Sequence, residues 1–130
     1  MEERIRWLVQ DIAQDIVGLD AALFFQAHPN VFDTAAGIAM RMGRRPEEVS
    51  QALDRLAAGG ILDSHQLGAG RYRCYALRRT EDVWKLLCKL SEMYLDDPAA
   101  RREIIRMLIS RVKSSTPMTE RNEPSEEGKE

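Results

Sequence analysis

The side chains best suited to nucleophilic or metal chemistry are two histidines and two cysteines, and they are scattered along the 130 residues. His28 precedes a proline and His65 falls in a segment with strand character. Neither has a serine, cysteine or carboxylate at a spacing that would activate a nucleophile, so no catalytic residue is expected and the chain reads as a non-enzyme. Cys74 and Cys88 lack the paired spacing of a zinc site or disulfide framework, and both are expected to be reduced, buried small hydrophobes. Asp96-Asp97 before Pro98 reads as helix punctuation, because a magnesium or calcium site needs further oxygen ligands at defined spacing. No metal or cofactor is expected.

The arginines carry a stronger signal. Over residues 18–79 every basic side chain is arginine (Arg41, Arg44, Arg45, Arg55, Arg71, Arg73, Arg78 and Arg79), giving a block charge of +2, and residues 99–113 add a block of +4. The segments 1–17, 80–98 and 114–130 are negative, at −2, −3 and −3, so the total is −2. That total excludes a protein that coats nucleic acid indiscriminately, while local guanidinium clusters suit phosphate and base edges.

Hydrophobic spacing supplies the elements that must position these groups. Ile5, Leu8, Val9, Ile12, Ile16 and Val17 predict a helix over 2–17, capped by Gly18. Asp20 is expected to cap a helix over 21–27 with Leu23, Phe24 and Ala27 inward, stopped by His28-Pro29-Asn30. Val31-Phe32 reads as a short extended piece, and Asp33 or Thr34 as the cap of a helix over 35–42 closed by Gly43. Pro46 opens a helix to about Ala58 with Val49, Ala52, Leu53 and Leu56 inward. Gly59-Gly60 ends it. Residues 61–77 read as a β-hairpin around Leu67-Gly68-Ala69-Gly70. Two further helices are expected, over 81–95 and 99–112, the second with Ile104, Ile105, Leu108 and Ile109 on one side and its basic residues largely on the other. Residues 114–130 have almost nothing to bury and read as a disordered tail. No apolar run approaches the roughly 18 to 20 residues of a membrane span. The mixed-charge start Met1-Glu2-Glu3-Arg4 is unlike a signal peptide, so no membrane partner and a cytoplasmic location are expected.

The segments Thr34-Ala-Ala-Gly-Ile-Ala-Met-Arg-Met-Gly43, Val49-Ser-Gln-Ala-Leu-Asp-Arg-Leu56, Ala58-Gly-Gly-Ile-Leu62 and Tyr72-Arg-Cys-Tyr-Ala-Leu77 follow one another in a telling order. Together they resemble the winged helix-turn-helix of transcriptional regulators, on the plan shared by MarR-like and PadR-like proteins. The resemblance covers a little under half of the chain. It implies a mainly α fold with a small β-wing: an N-terminal flanking helix over 1–17, a winged domain over 18–79 and two flanking helices over 80–113. It further implies a sequence-specific double-stranded DNA-binding regulator, with the helix 46–58 in the major groove and the hairpin 61–77 on the backbone or minor groove. On that reading Arg44, Arg45, Ser50, Gln51 and Arg55 serve the major groove, and Arg71 and Arg73 the wing. With Val49, Leu53 and Leu56 inward, steps of about 100° turn Glu47, Gln51 and Asp54 outward. Gln51 suits adenine. Glu47 and Asp54 depart from the favourable pattern, since carboxylates repel phosphate unless they accept from cytosine N4 or orient an arginine. Glu47 and Glu48 also suit a first helical turn, at about 0.3 to 1 kcal/mol each.

Two partner expectations accompany this reading. The apolar stripes over 2–17 and 81–95 look broader than a small winged core can cover, which predicts a homodimer; the rival is a monomer whose extra helices fold back on their own domain. A small-molecule effector between core and flanking helices fits the plan, with no residue pattern naming it. The contrasting function is a protein-interaction module whose acidic face, Glu47 and Asp54, meets a basic partner.

Overall fold

In the computed structural model, residues 2–115 are described, with side chains through residue 110. The chain is mainly helical and carries a three-stranded antiparallel sheet of order β1-β3-β2. Helix α1 (Glu3–Trp7) continues as a π-helical segment, Leu8–Ala13, and α2 spans Ile16–Ala27. Strand β1 (Phe32–Thr34) leads into α3 (Ala35–Met42) and α4 (Pro46–Ala58). The strands β2 (Leu62–Leu67) and β3 (Tyr72–Leu77) form the hairpin. Then α5 (Glu81–Ser91) passes into a π-helical segment, Glu92–Asp96, and α6 spans Pro98–Ser115. The middle strand is β3, with Tyr75 opposite both Asp33 and Ser64.

Local chemistry accounts for the boundaries around α3 and α4. The Thr34 hydroxyl accepts from the Gly37 N–H at 3.2 Å, capping α3, and Gly43 ends it in the left-handed region at φ +72°. Pro46 opens α4, where its missing N–H costs no helical hydrogen bond. Thr80 caps α5 by accepting from Val83 N–H.

The N-terminal boundary differs from the sequence reading. The first helix ends at Ala13, Gln14 takes φ +70°, and Asp15 caps α2 by accepting from Gly18 N–H at 2.8 Å. Gly18 is therefore inside α2 and caps nothing, and Asp20 sits within the same helix as an ion-pair partner. The glycine serves a close approach: a Cβ there would lie 2.0 Å from the Ala13 carbonyl oxygen. The earlier start rotates α2 so that Ala21, Ala22 and Phe25 are buried, while Leu23 and Phe24 are half-buried and Ala27 is exposed. On α6, Ile104, Met107 and Leu108 face inward and Ile109 is exposed. The described helix runs through Ser115, and the rest of the expected tail lies outside the described residues.

One core includes residues from every helix: Ile5, Leu8 and Val9 from the N-terminal turns, Phe25, Ile38, Leu53 and Leu56 from the centre, and Leu87, Leu90 and Ile104 from the C-terminal helices. Of the flanking-helix stripes, the ground for expecting a homodimer, Ile5, Leu8, Val9, Leu86, Leu87 and Leu90 are buried within the single chain, while Ile16 is exposed. Trp84, Leu95 and Ile109 remain exposed among the large apolar side chains of α5 to α6. No helix among the described residues is long and apolar enough to cross a membrane.

Candidate nucleic-acid interface

The outward face of α4 is where sequence placed most of the candidate contacts. Glu47, Gln51 and Asp54 are exposed and Ser50 is half-buried. Val49, Ala52, Leu53 and Leu56 are fully buried, so the 3.6-residue period sets both faces at once.

The candidate arginines separate into two groups. Arg44 is drawn to Asp20 of α2, donating through Nη2 and, at 3.0 Å, through Nε, with Glu48 3.9 Å away. Arg55 turns away from the outward face altogether. Its Nη2 donates to the Ala13 carbonyl and to Asp15 Oδ1, each at 2.9 Å, and its side chain is only 22% exposed. Arg44 ties the turn before α4 to α2, and Arg55 ties α4 to the start of α2, so each has donors engaged by a carboxylate and, for Arg55, a carbonyl.

Arg45, Arg71 and Arg73 face solvent. Arg45 pairs with Glu48 at 2.6 Å, and that hydrogen bond, followed by the charges of Glu48 and Glu47, holds its guanidinium above its ordinary pKa. Arg71, in the hairpin turn, and Gln51 engage no side-chain partner among the described residues. Arg73 on β3 donates to Asp54 Oδ1 at 3.3 Å, so the hairpin lies against the outward face of α4. Its pKa is also raised, first by the neighbouring Tyr75 oxygen and then by the charge of Asp54.

Sequence reasoning missed the centre of this junction. The Tyr75 hydroxyl donates to Asp54 Oδ1 at 2.6 Å, while the rest of Tyr75 is buried in the core. Burial, then the hydrogen bond to and charge of Asp54, push the Tyr75 hydroxyl up to about 12, so it stays a donor at neutral pH. One signal was available: Arg73 and Tyr75, two apart on a strand, must share a face. Their partner on α4 was not legible.

Among the described residues no group of three or more His, Cys, Asp or Glu side chains could hold a metal ion. A hollow of about 330 Å³ lies between the end of β3 and α5, lined by Pro29, Leu77, Arg78, Arg79, Thr80 and Trp84.

No family model, curated protein or solved structure matches the chain.

Proposed function

We propose that the chain is a winged helix-turn-helix protein that binds double-stranded DNA sequence-specifically and regulates transcription. In this reading α4 enters the major groove and the β2–β3 hairpin rests on the backbone or minor groove. The observation that carries it is the Arg73–Asp54 contact, which makes the hairpin and the exposed face of α4 one continuous surface. Arg45, Arg71 and Arg73 provide the phosphate contacts, and Ser50 and Gln51 face the base edges. Arg44 and Arg55 hold the helices that present them.

Selection from random duplexes at moderate salt, followed by affinity measurements across a salt series, tests the proposal. Three phosphate contacts correspond to a log–log salt slope of about −2.7 per chain, and Arg71→Ala reduces its magnitude by about 0.9 with equal losses on all duplexes. Gln51→Ala changes preference between sequences instead. Recovery of no enriched motif, with no salt-dependent affinity for any duplex, refutes the proposal. The result would favour a protein-interaction module, for which the carboxylates Glu47, Glu48 and Asp54 on α4 are the supporting observation. A homodimer would have to use apolar residues left outside the core, such as Leu95 and Ile109; a monomeric mass by sedimentation at tens of micromolar excludes it. The hollow beside Trp84 is of a size that takes small molecules and is the place we assign to an effector.

A further inference from the structure

Asp54 looks like a liability on a surface meant for phosphate, yet its surroundings give it a defined direction. Both of its donors, the Tyr75 hydroxyl at 2.6 Å and Arg73 Nη1 at 3.3 Å, engage the same oxygen, Oδ1. Oδ2 has no partner among the described residues, and the Asp54 side chain is half-exposed. The anchor is rigid. Tyr75 is 2% exposed and occupies the middle strand, hydrogen-bonded into the sheet on both sides. Arg73 places a positive charge beside the carboxylate, offsetting its repulsion of nearby phosphates. Asp54 is one helical turn from the unpartnered, exposed Gln51, so the two side chains sit side by side on the outward face of α4.

We infer that Asp54 is a base-reading residue that accepts a hydrogen bond from the exocyclic amine of a cytosine, and that Tyr75 is its positioning residue. The inference rests on the DNA-binding reading above. A carboxylate in the major groove accepts from cytosine N4, the donor that cytosine presents there. The other major-groove amine, adenine N6, is flanked by the N7 acceptor, which a carboxylate repels and an amide satisfies. Asp54 and Gln51 therefore read different bases. The rise between them along α4 is about 4.5 Å, and base pairs stack about 3.4 Å apart, which places the two bases within about two pairs of each other.

The test repeats the random-duplex selection with the full-length protein and with Asp54→Asn, Asp54→Ala, Tyr75→Phe and Gln51→Ala, each checked for folding by circular dichroism. The wild type is expected to select a cytosine at one position, preferred roughly 5- to 150-fold over other bases. Asp54→Asn shifts that position to adenine, Asp54→Ala erases its preference, and Tyr75→Phe weakens the preference while keeping the base. Gln51→Ala alters a different position, within two base pairs. If Asp54 only braces the hairpin, Asp54→Asn and Asp54→Ala lower affinity for all duplexes alike and leave every base preference unchanged, which overturns the inference and leaves DNA binding intact. A wild type without salt-dependent duplex affinity overturns both readings. Should Asp54→Ala prove unfolded, the isosteric Asp54→Asn decides the matter alone, since a switch from cytosine to adenine cannot arise from a loosened hairpin.

Discussion

Replacing Arg55 with alanine separates a structural tie from a DNA contact, because the two roles predict opposite results. In the structure Arg55 bridges α4 to the break between the first two helices: one bond to the Ala13 carbonyl and one to Asp15, both at 2.9 Å. Hydrogen bonds involving a charged group contribute about 1.5 to 3 kcal/mol when well shielded. Here the Asp15 side chain is 49% exposed, so its ion pair with Arg55 contributes at most about 1 kcal/mol. The Ala13 carbonyl keeps its bond from Asp15 N–H at 2.8 Å, so it is not orphaned when Arg55 is lost. The buried Arg55 Nε has no partner, a desolvation cost that the substitution relieves. Adding lost packing of the aliphatic stem, the expected destabilisation is about 2 kcal/mol. For a folded region of this size that corresponds to a fall in melting temperature of about 8 °C. Urea unfolding followed by circular dichroism measures it. Arg55→Lys, which can reach one acceptor but not two, is expected to recover about half, and DNA affinity of either folded variant stays within about threefold of wild type. A stability loss below about 0.5 kcal/mol combined with a tenfold or greater loss of DNA affinity would refute the reasoning and return Arg55 to the groove.

Gly18→Ala, which helix propensity alone would favour by about 1 kcal/mol, is expected to destabilise the protein by roughly 1 to 3 kcal/mol, because its Cβ meets the Ala13 carbonyl oxygen, a backbone atom that cannot swing aside as a side chain would; thermal unfolding decides the sign. Tyr75 is neutral when protonated and its folded pKa is raised to about 12, so the stability it contributes is fully present below pH 10 and is lost as pH rises from about 10 to 12. The loss is about 1 to 2 kcal/mol, reduced from the full conversion because the hydroxyl meets a half-exposed carboxylate. It appears as the difference between wild type and Tyr75→Phe in denaturant midpoints across that range. Thr34→Ala removes the cap of α3 and is expected to cost about 1 kcal/mol, measured by the same unfolding assay.

Elements whose signals are local were legible in the sequence. The helix 46–58 follows from Pro46 and from apolar residues at helical spacing, and the cap at Thr34, the stop at Gly43 and the hairpin turn follow from residue types that serve those backbone conformations. The break after Ala13 was not legible. A continuous apolar period over 2–17 suits one helix, and the left-handed Gln14, the Asp15 cap and the close approach of Gly18 to Ala13 show two.

The interface divides along the same line. Sequence alone determined that the arginines flank a helix with Gln51 and Asp54 outward, because a 3.6-residue period assigns faces without reference to the rest of the chain. Which guanidiniums remain available was decided only by tertiary structure. Arg44 meets Asp20, and Arg55 meets Asp15, across intervals of 24 and 40 residues. Charges so far apart in the chain pair only after the core brings α2 and α4 together, and an electrostatic interaction depends on distance in space rather than on separation in sequence. The same packing carried Tyr75 under Asp54, giving an apparent defect of the outward face a fixed orientation.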